Sequence, residues 1–390
     1  MSSGSFQYVV ELSLLEALRP ELLVALLKPY EQELAAFGLV VERSRYSESW
    51  LQRLHSVLNR DDATLPALLQ STLMDVADLS TDAGGELIIA EARRRGIELS
   101  APKEASPQDL AVKTYLVHPD LFRAAHSRLA VSRRTTFEDF YGREGAHTRP
   151  TNLDKQLKVL KRRLESAFVS RHRPGFCRLL LDKRNGELVL IVAHGRLPRR
   201  EALVRSSHRR ELRTYVVEAH DVIVYDHTTD RLSIDAKAYE DVDLYRVVMG
   251  YLIALDDDYF QRFPIFNADP FKERGGAAMN ISGMTDLEKV LLRGVTLFSR
   301  GRPDLVQALA SDDLRPWLDE AFRTGTLEKL VFGSWTFGVV IPELRLPLDV
   351  ELRPPNQISF DPRLPIGRFR RFLSAAGFEV GPQRKKKRES

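Results

Sequence analysis

Apolar residues recur at intervals of three and four through most of residues 6–140, a spacing that predicts helices. The punctuation between the apolar runs agrees. Pro20, Pro29, Pro66, Pro107 and Pro119 each suit a first helical turn, where the missing N–H would have had no partner. Ser106, followed by Pro107-Gln108-Asp109, has the form of an N-cap with a carboxylate in the first turn. Gly38 and Gly96 follow apolar runs, where a left-handed residue closes a helix. Trp50, Leu51, Leu54, Val57 and Leu58 make one stripe. The expectation for 1–140 is a bundle of about seven short helices.

Residues 141–173 are predicted to form a basic connection containing an amphipathic helix from Asp154 to Arg171. Leu157, Leu160, Leu164 and Phe168 form its inward stripe, and Lys155, Lys158, Arg162 and Arg163 lie mostly on the other side. After Pro174 the period changes to two. Phe176–Leu181 and Glu187–Ala193 flank Lys183-Arg184-Asn185-Gly186, and Asn-Gly between apolar runs predicts a hairpin because both residues tolerate positive φ. Thr214–Val217, Val222–Tyr225 and Leu232–Ile234 are further strands, and 241–255 reads as a buried helix holding Met249 and Tyr251. Residues 263–300 show no clear pattern. A helical pair over 303–323, strands Leu330–Ile341 and Leu346–Leu352, and a helix Pro365–Ala376 stopped by Gly377 complete the prediction. The resulting class is α+β, with an N-terminal helical bundle (1–140), a basic connecting helix (141–173), a central antiparallel β-hairpin/helix unit (174–262), a small C-terminal α+β unit (263–380) and a basic tail (381–390) expected to be disordered.

Composition adds exclusions. Of 390 residues, 43% are hydrophobic and 29% charged, an ordinary globular balance. No apolar run reaches the roughly 18 residues of a membrane helix, and MSSGSFQYVVELS lacks the basic and apolar regions of a secretory signal, so a cytoplasmic protein is expected. The single cysteine, Cys177, excludes an internal disulfide and a Cys-rich metal site.

Charge changes the picture most. Residues 1–140 carry 15 cations and 20 anions, residues 141–213 carry 19 and 7, and residues 214–383 carry 19 and 26. Like charges gathered in one segment repel, so such a block calls for an anionic partner, either nucleic acid or the acidic remainder of the same chain. Arg171, Arg173, Arg199, Arg200, Arg205, Arg209, Arg210 and Arg213 could grip phosphates with forked donors, together with Lys155, Lys158, Arg162 and Arg163. Few aromatics interleave them, and Phe168 and Phe176 are expected in the core, which favours contact with a duplex backbone over base stacking on a single strand. The terminal RKKKR would add salt-sensitive affinity for polyanions.

One stretch carries candidate chemistry. His220-Asp221-Val222-Ile223-Val224-Tyr225-Asp226 is followed by Leu232-Ser233-Ile234-Asp235-Ala236-Lys237. An acidic residue opening one strand and a D-x-K on the next resembles the core of the PD-(D/E)xK nucleases. The resemblance implies a nuclease in which Asp221 and Asp235 hold Mg²⁺ and Lys237 stabilises developing charge. It spans about 35 residues, with His220 where the family has proline. Everything turns on the hairpin: a three-residue turn at His227-Thr228-Thr229 puts Asp221 opposite Asp235, and one residue more puts it on the other face.

Elsewhere Gly333-Ser334-Trp335-Thr336-Phe337-Gly338 is no nucleophile elbow, there is no Walker A or dinucleotide fingerprint, and the nine histidines show no paired-ligand spacing. The preferred expectation is a cofactor-free nucleic-acid-binding or scaffold subunit of a bacterial multi-component complex, of a defence or mobile-element kind, holding phosphate backbone through 141–213. The alternatives are a Mg²⁺-dependent nuclease and a protein–protein adaptor whose basic block pairs with its own acidic residues.

Overall fold

The computed structural model describes residues 11–42, 46–59, 67–99, 105–143, 153–184, 186–204, 210–216, 218–300 and 302–381. Contacts between Cα atoms divide the chain into two compact units, Met1–Ser132 and Arg133–Ser390. The architecture is α+β. The first unit is helical throughout its described length: α1 Leu12–Ala17, α2 Pro20–Leu27, α3 Glu31–Ala35, α4 Glu48–Leu58, α5 Ala67–Leu79, α6 Asp82–Arg95, α7 Pro107–Val117 and α8 Pro119–Ser132.

Local chemistry sets several of these boundaries. Ser106 Oγ accepts from the Asp109 amide at the start of α7, and Ser47 and Thr81 cap α4 and α6 in the same way. Gly96 ends α6 at φ 66°, a left-handed conformation that glycine adopts without the Cβ clash other residues meet. The predicted α4 stripe is buried in full, joining leucines from α2, α5 and α7 in one core. Polar groups within this unit are matched: the Asp109 carboxylate takes the Arg19 Nε–H at 2.6 Å, and the fully buried Glu91 meets Arg94, Arg95 and Arg128 at 2.5, 2.6 and 3.0 Å.

The second unit is built on one antiparallel sheet. Its elements are β1 Thr136–Gly142, α9 Leu153–Ser170, β2 Cys177–Arg184, β3 Glu187–Gly195, β4 Arg199–Val204, β5 Arg210–Tyr215, β6 Glu218–Asp226, β7 Arg231–Asp235, α10 Tyr239–Ala254, β8 Phe260–Gln261, α11 Asp269–Arg274, β9 Lys289–Ser299, β10 Arg302–Ala310, α12 Arg315–Arg323, β11 Leu330–Ile341, β12 Leu344–Arg353, β13 Gln357–Phe360 and α13 Ile366–Ala376. The strand order is β10-β9-β11-β12-β13-β1-β7-β6-β3-β2, with β8 beside β1. The expected central and C-terminal units therefore contribute strands to the same sheet, and β1 is the strand that joins them.

Because side chains alternate along a strand, β1 serves two cores. Phe140 points with Leu232, Ile223, Leu190 and Val192 toward α9 and α10. Asp139 and Tyr141 point the other way: Asp139 takes hydrogen bonds from Ser233 Oγ at 2.5 Å and Arg370 Nη1 at 2.6 Å, and Tyr141 donates to Glu379 Oε1 at 2.5 Å. On that side Phe271, Phe337, Phe369, Phe372 and Phe378 are fully buried around Trp335.

Three expectations are corrected. Residues 136–142 form a strand, not the end of the helical block; β1 pairs with β7 and β13, whose residues lie about a hundred or more positions away, beyond any local pattern. Residues 302–310 form β10 and not a helix, since pairing with β9 overrides a Leu- and Ala-containing run. The segment without a clear pattern holds β9, which pairs on both sides.

Candidate polyanion-binding surface and buried charge network

Helix α9 forms where the inward stripe predicts it. Leu160, Leu164 and Phe168 are buried, and Leu157 is half-buried. The cations on its outer side do not share one fate. Lys158 and Arg162 are exposed, and neither has an ion-pair partner among the described residues. Lys155 is exposed as well. Arg163 instead pairs with Asp257 at 2.7 Å and lies over the Tyr251 ring, 4.0 Å from its centroid.

Past the end of α9 the block turns inward. Arg171 Nη1 donates to Asp241 Oδ1 at 2.9 Å, and Arg173 Nη1 reaches both Asp241 oxygens at 3.0 and 2.8 Å. Asp241 opens α10 and is buried. One turn later Tyr245 donates its hydroxyl to Asp221 Oδ2 at 2.8 Å, and His194 Nε2 meets the same oxygen at 2.8 Å. His194 Nδ1 lies 3.1 Å from the Gly195 carbonyl. A carboxylate and a carbonyl both only accept, so each ring nitrogen faces an acceptor, an arrangement that favours the doubly protonated ring. Burial by itself pulls its pKa down, but the hydrogen bond and charge of Asp221, the Gly195 carbonyl and Asp241 outweigh that and raise it. Tyr245 is held far above the ordinary phenol range by burial and then by the Asp221 charge.

His194, Asp221 and Asp241 present ligand atoms within 4.8 Å of one another. Their existing partners decide what this arrangement can do. Asp241 is already held by Arg171 and Arg173, and Asp221 by Tyr245 and His194, so an added metal ion would have to displace these partners. The cluster is a satisfied buried polar network closing the core beneath α9 and α10.

The hairpin between β6 and β7 separates the two candidate nuclease carboxylates. The register pairs Val222 with Asp235 and Asp226 with Arg231, leaving a four-residue turn in place of the three-residue one. Asp221 therefore lies on the α9/α10 face and Asp235 on the opposite face. The turn is fixed from both ends. Asp226 accepts from Thr228 N at 2.8 Å, Thr228 Oγ1 at 2.6 Å and Thr229 Oγ1 at 2.7 Å. Asp230, at φ 54°, takes the hydroxyls of Tyr225 and Tyr259 at 2.9 and 2.8 Å. Asp235 instead has Arg134 Nη1 at 3.6 Å; burial raises its pKa, with Arg134 opposing and the Asp221 charge adding. Lys237 is exposed beyond the end of β7. The expected Mg²⁺ pair is not brought together.

The remaining cations fall in an excursion of the chain. Gly195 of β3 pairs directly with Glu218 of β6, and the described residues between them, 196–204 and 210–216, lie outside that sheet. Within them β4 and β5 pair with each other, from Arg199 opposite Tyr215 to Val204 opposite Arg210, and with no other strand among the described residues. Arg199, Arg200, Arg210 and Arg213 are strand positions of this ribbon; Arg205 and Arg209, like the tail after 381, lie outside the described residues.

Phe176 departs from expectation. Phe168 is fully buried, but Phe176, just before β2, is 62% exposed. Neither exposure nor the network around Asp221 has a local sequence signal, apart from Asp241 and Tyr245 sharing a helix face four residues apart. Among the described residues no helix is long and apolar enough to cross a membrane. No protein-family model matches the chain, and no curated protein matches it.

Proposed function

We propose that the chain is a non-catalytic nucleic-acid-binding or scaffold subunit that holds phosphate backbone through the β4–β5 ribbon and the outer face of α9. The observation that carries this reading is the ribbon. Residues 196–217 contain seven arginines and two glutamates, and among the described residues their strands pair only with each other. A two-stranded hairpin is marginally stable in water, and one this rich in arginine has little apolar surface to bury by itself. A two-stranded ribbon also fits a nucleic-acid groove, and guanidinium groups match phosphate geometry. The exposed Lys158 and Arg162 add donors on α9.

The test is an anisotropy titration of a labelled 25-base-pair duplex and its single strands across about 50–300 mM salt, where each phosphate contact contributes about −0.9 to the log–log slope on duplex DNA. Replacing Arg199, Arg200, Arg210 and Arg213 by Glu together is expected to weaken binding at least tenfold and flatten the slope. Binding that is absent, or that survives the replacement with its slope intact, overturns the proposal.

A second reading, a protein–protein adaptor, is favoured by a separate observation. Arg143, Arg163, Arg171 and Arg173 all pair with carboxylates of the acidic segment, at Asp256, Asp257 and Asp241. It becomes the preferred one if the titration detects no nucleic acid.

A further inference from the structure

Beside the foot of the ribbon, large apolar side chains stand in solvent. Phe176 is 62% exposed, Val169 59%, Leu197 55% and Val216 43%. They come from the end of α9, the start of β2 and the short segments that lead into and out of the ribbon. Two glycines mark how closely these segments meet. A Cβ on Gly175 would lie 2.5 Å from Val169 Cγ2, and one on Gly195 would lie 2.8 Å from both Pro174 Cγ and Val216 Cγ1. Leu197 follows Gly195 by two residues. Pro174 and Gly175, the two residues before Phe176, thus lie in the same corner as Val216 and Val169, and exposed apolar side chains gathered in one place mark an interaction site far better than scattered ones do.

Its surroundings specify the partner. Lys161 Nζ lies 5.8 Å from the Phe176 ring centroid, with Glu165 as its carboxylate neighbour at 3.7 Å. Positions 158, 162 and 169 share one side of α9, at the i, i+4 and i+11 spacing of a helix face. From Lys158 to Val169 that face is about 16 Å long at 1.5 Å per residue. It carries exposed ammonium and guanidinium groups at one end and, at the other, Val169, which lies against Gly175, the residue before Phe176. A partner fitting this strip has anionic groups along one part and a flat apolar ring at its end. A duplex offers the first and hides the second inside its stack. An unpaired polynucleotide strand offers both, since every base has a π-face.

We propose that Phe176 is a stacking platform for an unpaired base of single-stranded nucleic acid, with Val169, Leu197 and Val216 as its rim and the adjoining phosphates over Arg162 and Lys158. This rests on the nucleic-acid reading and adds the strand type to it. It also reverses the expectation of duplex preference, which depended on Phe176 being buried.

The experiment titrates the full chain with three labelled probes: a 20-nucleotide single strand, the blunt duplex of the same sequence, and that duplex with a five-nucleotide unpaired end. Phe176→Ala is expected to weaken the single strand and the overhang roughly tenfold, within the range measured for loss of one base–aromatic stack. It should leave the blunt duplex and the salt slope unchanged, because no phosphate contact is removed. Phe176→Trp should keep the affinity, and its added indole fluorescence should be quenched by the single strand. The exposure of Phe176 predicts that both variants keep the wild-type urea midpoint. If Phe176→Ala binds the single strand as wild type does, or weakens single strand and blunt duplex alike, the stacking platform is wrong. If that occurs while the four-arginine replacement abolishes binding, only this inference fails. If the arginine replacement has no effect but Phe176→Ala does, the ribbon reading fails and the platform stands. A wild-type chain that binds none of the probes overturns both.

Discussion

Against α11, α12 and α13, the C-terminal half of the sheet buries Trp335, Phe337, Phe369, Phe372 and Phe378 with ring centroids about 5–6.5 Å apart, and Trp335 Nε1 has no hydrogen-bond partner among the described residues. Against α9 and α10, the N-terminal half buries leucines and isoleucines too, but closes one end with Arg171, Arg173, His194, Asp221, Asp241 and Tyr245. The aromatic cluster is held by area and packing, which are non-directional, although the buried Asp139–Arg370 pair lies on the same side of the sheet. The charged half is held by partners that must all be present, since a buried charge left alone costs far more than a pair contributes. The same contrast divides the basic block. Arg171 and Arg173 serve the fold, whereas Lys158 and Arg162, on the same stretch of chain, face solvent.

Removing one member of each half should expose the difference. Asp241→Ala leaves two guanidinium groups without their carboxylate and is expected to destabilise the second unit by about 3–5 kcal/mol in urea unfolding. Replacing all three together, as Arg171→Met, Arg173→Met and Asp241→Leu, should recover most of that loss, because matched apolar residues avoid the unpaired charge. If the triple variant is less stable than Asp241→Ala, the charged half is not governed by partner matching.

Phe337→Ala is expected to cost a similar amount, about 3–5 kcal/mol, through lost burial and the cavity it leaves. Here no second truncation nearby should rescue; Phe369→Ala added to it should lower the urea midpoint further. Recovery in the double variant would show that the aromatic half also depends on specific pairing.

A smaller effect separates the halves by pH. His194 has a raised folded pKa, so its contribution is fully present below its unfolded value of about 6.5 and is lost as pH rises through the folded value. The urea midpoint should therefore fall between pH 6 and pH 9 through this group, and Asp221→Asn should flatten that part of the profile. An unchanged profile in Asp221→Asn would mean that His194 is not charged in the folded chain.

The smallest stability effect belongs to the exposed cations. Lys158→Glu and Arg162→Glu should shift stability by no more than about 0.5 kcal/mol, while weakening nucleic-acid binding. A large stability loss would place them with Arg171 and Arg173.

Much of the fold was legible in local pattern. The α9 stripe, the hairpin of β2 and β3 with Gly186 at φ 81°, the Ser106 cap of α7 and the stop at Gly377 each depend on residues within a few positions of one another. The site was less legible. Nothing beside Thr136 in sequence foretells that its segment will find β7 and β13, and the turn after Asp226 differs by one residue from the one that would have united Asp221 with Asp235.

By itself, then, the order of residues determined where helices and hairpins begin and end and how charge is distributed, because capping, turn chemistry and periodicity act over a few bonds. Which arginines are neutralised, which face each aspartate takes and whether Phe176 meets water were decided only when β1 joined the two halves of the sheet and α10 brought Asp241 and Tyr245 over it. Those outcomes depend on the dielectric and the partners around each group, and both are supplied by segments distant along the chain.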